Sequence, residues 1–155
     1  MAHLPINHPL RPLYRTLAAL AGLYVLVFGI VGLSRSSGRP FFGHDHVTAL
    51  GLRTNPAFAI LSIVVGVVVL AAVVYGRNAD HFVNMAGGLV FLLAGMAMLA
   101  LLRTTANFLN FSMSTCIVSF VIGTVMLTAG LYSRTGPPEE AAAEERDRRG
   151  ALKTA

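Results

Sequence analysis

Four long apolar segments constrain the fold of this chain more than any other feature of its sequence. Each is 19 to 22 residues long and carries no Asp, Glu, Lys or Arg in its central part. An α-helix of about 20 residues crosses the hydrocarbon core of a bilayer, which is about 30 Å thick. Because lipid offers no hydrogen-bond partners, the backbone of such a segment must satisfy itself as a helix. The sequence therefore predicts transmembrane helices at residues 13–33, 57–75, 81–102 and 112–132.

The composition agrees with an integral membrane protein. Hydrophobic residues make up 55% of the chain and charged residues 12%, against about 25% charged residues in soluble domains. We predict an all-α protein with one four-helix transmembrane domain in residues 1–135 and a hydrophilic tail in residues 136–155. The first segment is longer than the apolar part of a signal peptide and lacks a small-residue cleavage site, which indicates a retained helix. The net charge of +5 reflects membrane topology, so we expect contact with the lipid bilayer and none with nucleic acid.

The distribution of basic residues predicts the orientation. Four crossings place both termini on one side of the membrane, with 8 Arg and Lys residues on that side and 4 on the other. Cytoplasmic segments carry the excess of positive charge. We therefore expect a multi-pass protein of the plasma membrane with both termini in the cytoplasm. Half of the basic residues on that side belong to the tail: Arg146, Arg148, Arg149 and Lys153.

An internal repeat relates the first two segments to the last two. A shift of 66 residues aligns the first segment with the third, and a shift of 57 aligns the second with the fourth. Both halves start on the same side, so the predicted architecture is a bundle of two tandem helical hairpins in a parallel repeat. The alignment matches small residues, which let helices approach closely in lipid. The predicted helix-packing positions are Gly22 with Gly88, Gly29 with Gly95, Ser62 with Ser119, and Gly66 with Gly123.

Three polar residues near the segment ends have predicted structural roles. Asn55 precedes Pro56, the arrangement of a helix N-cap followed by proline at the first helical position. Asp80 can cap the third helix. Asn84 lies one turn inside that helix, where we expect a buried side chain that hydrogen-bonds to another helix or to the first turn. Substrate contact is the alternative for Asn84.

A His-Asp-His grouping lies between the first two segments. His44, Asp45 and His46 are residue types that bind metal ions, but a structural zinc site uses four ligands. The other histidines lie on the opposite side of the predicted membrane. The grouping is therefore a metal site, a pH-responsive pair or, most simply, a solvated turn. The sequence carries no motif for a catalytic nucleophile, a phosphate loop or a dinucleotide site, so we expect no enzyme activity and no cofactor.

Three strings that each precede a segment resemble a known family. They are HPLRPLYR at residues 8–15, ALGLRTNPAF at residues 49–58 and RTTANFLNFSM at residues 103–113. The family consists of small four-helix membrane proteins of actinobacteria, classed as a domain of unknown function, and the resemblance covers residues 7–135. It implies four transmembrane helices and a plasma-membrane location, and it implies no activity.

Three hypotheses for function follow. The first is a non-catalytic structural or accessory subunit that binds other membrane proteins or forms a homo-oligomer. The second is an oligomeric channel or transporter for a small solute, using Asn84 and the Ser- and Thr-rich fourth segment. The third is a metal or pH sensor on the outer side, centred on His44 and His46. The first is favoured because transporters usually place charged side chains within the membrane, and the centres of these segments have none.

Overall fold

A computed structural model describes residues 6–143 and 146. Its four helices are α1 (Arg11–Ser36), α2 (Pro56–Tyr75), α3 (Ala79–Leu101) and α4 (Met113–Tyr132). All four are long and apolar enough to cross a membrane. The predicted four-helix class is confirmed, and every helix begins and ends within three residues of the segment predicted from the sequence.

The helix starts follow the capping chemistry of the sequence in one case and depart from it in another. Asn55 is the N-cap of α2, and its side chain accepts a hydrogen bond from the Phe58 backbone N–H, as predicted. The predicted cap at Asp80 is wrong. Helix α3 begins one residue earlier, at Ala79, and Asn78 occupies its N-cap with φ of 68° and no side-chain cap bond. The Asp80 side chain turns instead toward two arginines of α1.

Helices α1 and α2 pack closely along each other, and α3 and α4 do the same. A Cβ added at Gly22 would lie 2.8 Å from Cγ1 of Val69, and one at Gly88 would lie 2.5 Å from the backbone nitrogen of Leu127. These distances leave no room for a methyl group, so the missing side chains are what lets the helices approach. All eight predicted packing positions are buried within the chain.

The contacts of the two helix pairs correspond under the shifts of 66 and 57 residues. The corresponding contacts are Gly66 with Leu26 and Gly123 with Leu92, and Gly29 with Ile63 and Gly95 with Phe120. Any two helix pairs with small residues at equivalent positions along their helices would show the same contacts, whether or not the two halves share an origin. The tandem repeat itself stays a prediction.

The loop between α1 and α2 contains a short β-hairpin that the sequence analysis did not predict. Strand β1 (Thr48–Ala49) pairs antiparallel with β2 (Leu52–Arg53). Leu50 and Gly51 form the turn with φ values of 49° and 82°, which matches a hairpin turn that requires positive φ at both central residues. Ala49 and Leu52 are buried against Phe28 of α1. The loop is therefore a folded cover on the end of the bundle opposite the two termini, which we call the outer end after the predicted orientation.

The tail begins with helical backbone at residues 138–143. The predicted i,i+4 pairs, Glu144 with Arg148 and Glu145 with Arg149, lie outside the described residues.

Candidate functional site

The carboxylate of Asp80 is a fully buried charge at the end of the bundle that holds both termini. Its side chain is 0% exposed. Arg11 Nη2 lies 3.3 Å from Asp80 Oδ2, and Arg15 Nε lies 3.2 Å from the same oxygen. A buried carboxylate is costly unless it is paired. Two guanidinium groups from the beginning of α1 supply that pairing.

Both arginines also bind backbone carbonyls at the ends of other helices. Arg11 Nε donates to the Ser133 carbonyl oxygen at 2.9 Å, just after the last residue of α4. Arg15 Nη2 donates to the Val73 carbonyl oxygen in the last turn of α2. Cations near helix C-termini satisfy free carbonyls and offset the helix dipole. We call these three charged residues the terminal-side cluster. It joins the start of α1 to the ends of α2 and α4 and to the first turn of α3.

Two further polar residues of α3 lie beside this cluster. His81 Nδ1 is 2.6 Å from the carbonyl oxygen of Gly130. Because a carbonyl oxygen can only accept, His81 donates from Nδ1. Asn84 is buried, as predicted, with 1% exposure. The hydrogen bonds predicted for it are wrong within the described residues, because neither of its amide atoms has a partner there.

Asparagines join the two loops at the opposite, outer end of the bundle. Asn55 Nδ2 donates to the carbonyl oxygens of Gly43 and Phe108. Asn110 Nδ2 donates to the carbonyl oxygen of Asp45 at 2.8 Å and to that of Thr54 at 3.2 Å. The Asn55 amide thus bridges the backbones of the first and second loops. The Asn110 amide, which belongs to the second loop, binds two carbonyls of the first. The outer loops form one fixed layer rather than two independent segments.

The His-Asp-His grouping is not assembled as a set of metal ligands. Asp45 forms an ion pair with Arg39, whose Nη1 lies 3.2 Å from its Oδ2. His46 Nδ1 lies 2.9 Å from Arg53 Nη2, and it accepts there because an arginine can only donate. Among residues 6–143 and 146, no group of three or more His, Cys, Asp or Glu side chains could hold a metal ion. His44, Asp45 and His46 therefore do not converge on one position within the described chain, and the metal hypothesis stays a prediction.

Three phenylalanines form an exposed patch on the outer layer. Phe41 and Phe42 have ring centroids 4.8 Å apart, and Phe42 and Phe108 have centroids 6.1 Å apart. Their exposed fractions are 52%, 53% and 47%. The Phe41 carbonyl accepts from the Ala57 backbone N–H, and the Phe108 carbonyl accepts from Asn55. We call this group the outer aromatic patch; its backbone is fixed although its rings are exposed.

A cleft of about 400 Å³ lies between the two helix pairs. Its walls include Val64 and Val68 of α2 and Val90 of α3, and it is almost entirely apolar. Each of these valines is about half exposed, so the cleft opens sideways between α2 and α3. We call it the interhairpin cleft.

The hydroxyl groups of α2 and α4 that line this cleft are already bonded. Ser62 donates to the Phe58 carbonyl oxygen at 2.7 Å, and Ser119 donates to the Phe91 carbonyl oxygen at 2.8 Å. The Thr115 hydroxyl lies 2.9 Å from that of Ser112. Asn84 does not line the cleft. The polar path that a channel would use is therefore not assembled from these residues.

A family model described as a domain of unknown function, DUF4383, matches residues 15–132. This chain belongs to that family. The match confirms the resemblance to a family of unknown function, whereas an actinobacterial origin stays a prediction. No curated protein and no solved structure matches the chain.

The DUF4383 match spans α2, α3, α4, most of α1 and both outer loops. It therefore includes Arg15, Asp80, Asn55, the outer aromatic patch and the interhairpin cleft, whereas Arg11 precedes it. The chain is an integral membrane protein of unknown function with four candidate transmembrane helices.

Sequence reasoning missed the partners of Asp80 in this DUF4383 domain. A signal was present, because Arg11 and Arg15 are spaced i,i+4 and fall on the same side of the predicted membrane as Asp80. Opposite charges at one membrane depth favour pairing. The bonds of Asn55 and Asn110 to the outer loops left no comparable signal, because an asparagine amide binds any carbonyl that the fold brings to it.

Proposed function

We propose that this DUF4383 protein is a non-catalytic accessory subunit of the plasma membrane that binds another membrane protein through its outer aromatic patch. The exposure of Phe41, Phe42 and Phe108 on a fixed backbone is the observation that carries this proposal. The proposal includes cytoplasmic termini, which places the patch on the outer side of the membrane.

The chemistry of the patch suits a protein interface. Aromatic side chains are enriched in the cores of interfaces and dominate their binding energy. Exposed apolar groups that cluster mark interaction sites more often than scattered ones do. Asn55 and the Ala57 N–H already fix the backbone beneath the rings. A partner that binds there therefore causes little further loss of backbone conformational entropy.

The placement of charge supports a non-catalytic role. Asp80 is neutralised by Arg11 and Arg15 within the chain. Catalytic acids and bases need access to a substrate, and the Asp80 side chain is fully buried away from the interhairpin cleft. The terminal-side cluster is therefore assigned to holding the helices together.

The channel or transporter alternative has less support. Its candidate residues were Asn84 and the hydroxyls of α4, and Ser119 and Thr115 are bonded within the chain. A conducting path needs polar groups that are free to replace water around a solute. We therefore do not favour this alternative.

Site-specific photocrosslinking in native membranes tests the accessory role. A benzoylphenylalanine residue replacing Phe42 should give one discrete protein adduct after irradiation. The adduct should disappear when Phe41→Ser and Phe108→Ser are combined with it, while the amount of the chain in the membrane stays the same. The matched control carries the same crosslinker in place of Val74, an exposed side chain near the other end of α2.

Three outcomes contradict the proposal. Adducts with lipid alone assign the patch to the membrane interface. An adduct of twice the mass of the chain assigns it to self-association. The same protein adduct from the position of Val74 shows contact that does not depend on the patch.

A further inference from the structure

Two buried side chains on one face of α3 carry polar atoms that no group of the described chain satisfies. Both arginines of the terminal-side cluster lie on Asp80 Oδ2, whereas Asp80 Oδ1 has no hydrogen-bond partner within residues 6–143 and 146. The oxygen and the nitrogen of the Asn84 amide have none there either. Buried polar groups are normally hydrogen-bonded, and each one left without a partner costs free energy. These three atoms therefore point to a bound ligand.

The three atoms lie close together and are enclosed by the bundle. Asp80 and Asn84 are four residues apart on α3, so their side chains are neighbours on one face of the helix. Their exposed fractions are 0% and 1%. Asn84 follows Ala79, the first residue of α3, by five residues, which is about 8 Å along the helix. The site is therefore inside the bundle, close to the end that holds both termini.

The arrangement of the helices provides space for a small ligand. Helix α1 packs against α2 and α4, and α3 packs against the same two helices, so α1 and α3 lie diagonally across the bundle. Neighbouring helix axes are about 8–10 Å apart, which makes the diagonal about 11–14 Å. Arg11 and Arg15 extend across this distance to Asp80. The same face of α1 continues with Ala18, whose fully buried side chain is one methyl group and fills much less of the diagonal.

The charges and atom types at the site select the class of ligand. A cation would meet two guanidinium groups whose charge one carboxylate only half offsets, and an anion would meet the open oxygen of Asp80. The ligand is therefore neutral. It must also donate to Asp80 Oδ1 and accept from Asn84 Nδ2. Water does both, fits an enclosed site, and forms about three hydrogen bonds to such groups where it is buried in proteins.

We propose that Asp80 and Asn84 bind buried water between α1 and α3, and that this water joins the Asp80 carboxylate to the Asn84 amide. A water molecule that bridges two polar groups is enthalpically nearly as good as a direct hydrogen bond. The site extends the terminal-side cluster by one helical turn into the membrane-spanning part of the bundle. It is separate from the outer aromatic patch, at the opposite end, and does not depend on a partner bound there.

Solid-state NMR of the full chain in lipid bilayers detects the water directly. Magnetisation is transferred from water protons to the protein, and the side-chain amide signal of Asn84 is identified by its loss in Asn84→Leu. That signal should receive magnetisation from water. The backbone amide of Gly88 is the matched dry reference, because it lies one turn deeper on α3, where the helix packs against the backbone of α4. It should receive none at the same transfer time.

The stability of Asn84→Leu gives a second test, because the sign of the change depends on the water. If the Asn84 amide has no partner, an apolar group of similar shape should make the chain more stable. If the amide holds water on Asp80, the same replacement removes a hydrogen bond from a buried carboxylate. We expect the equilibrium constant for unfolding to rise about five- to tenfold, as for one net hydrogen bond, in a denaturant titration in detergent micelles.

An Asp80→Leu background is the control for this replacement. It removes the carboxylate that the water joins to Asn84, so adding Asn84→Leu there should no longer raise the unfolding constant. Asn84→Ala is the second variant if Asn84→Leu does not fold, and the increase that it causes should likewise be smaller in the Asp80→Leu background. If Asp80→Leu does not fold, the NMR transfer decides.

The proposal is overturned if the Asn84 amide receives no magnetisation from water. It is also overturned if the Gly88 amide receives as much, because the transfer then does not come from a local site. A more stable Asn84→Leu, or an equal effect of that change with and without Asp80, shows that no bound water joins the two residues. None of these results bears on crosslinking at the outer aromatic patch.

Discussion

Arg15 Nε lies 3.2 Å from Asp80 Oδ2, and this contact ties the beginning of α1 to the first turn of α3. Arg11 adds contacts to Asp80 and to the Ser133 carbonyl, so polar contacts join the two helix pairs at this end of the bundle. At the outer end, Asn55 and Asn110 crosslink the two loops. Between these connections the interhairpin cleft separates α2 from α3. The bundle is therefore fixed at its ends and more open in its apolar middle.

Replacement of Asp80 tests the connection at the terminal side. We expect Asp80→Asn to lower the free energy of unfolding by about 2–3 kcal/mol, because the charged bonds to both arginines are lost. This loss is smaller than the roughly 3–5 kcal/mol of a broken, fully buried ion pair, because the arginine side chains, at 22% and 31% exposure, can turn toward water and lipid headgroups. Denaturant titration in detergent micelles, followed by circular dichroism, measures the change.

The reverse replacement should be more damaging. Arg11→Gln combined with Arg15→Gln leaves a fully buried carboxylate unpaired, at an expected cost of about 3–5 kcal/mol. Adding Asp80→Asn to that pair should recover part of the loss, because no uncompensated charge remains. If the double arginine variant is as stable as the unchanged chain, the cluster does not hold the helices together.

The two adjacent glycines of α3 should respond differently to alanine. A Cβ at Gly88 would lie 2.5 Å from the Leu127 backbone nitrogen, which cannot move without shifting α4. A Cβ at Gly87 would meet the terminal methyl group of Met126, which can take another rotamer. We expect Gly88→Ala to destabilise the bundle by about 1–3 kcal/mol and Gly87→Ala to cost clearly less. Equal losses in the same titration would contradict the backbone contact between α3 and α4.

The helices and their packing positions were predictable because single strong constraints decide them. Lipid forces a long apolar segment to satisfy its backbone as a helix, and close packing of helices in lipid selects small residues such as Gly22 and Gly88. Both constraints act locally along the chain. They therefore leave a direct pattern in the sequence.

The sites were less predictable because they depend on which helices meet and which do not. Asp80 has the position of a helix cap in the sequence, and only the arrival of α1 beside α3 gives it two arginine partners.

The predicted orientation can be tested with two reporters at two positions. A fluorescent protein fused after residue 136 should fold and fluoresce, and alkaline phosphatase at the same place should be inactive, because the predicted C-terminus is cytoplasmic. Insertion after Gly38, in the exposed first loop, should give the opposite pair of results. Phosphatase activity from the C-terminal fusion would reverse the orientation and place the outer aromatic patch in the cytoplasm.

Variants of Asn55 separate its role as a helix cap from its role in the outer layer. Asn55→Ser keeps a good N-cap but loses the amide donors to Gly43 and Phe108, whereas Asn55→Ala loses both functions. Hydrogen exchange in residues 37–54 and 103–111 should become about tenfold faster in both variants, as expected for the loss of one to two net hydrogen bonds. The Phe58 amide, which donates to the Asn55 side chain, should exchange faster only in Asn55→Ala. Unchanged loop exchange in Asn55→Ser would show that the two loops hold together without this amide.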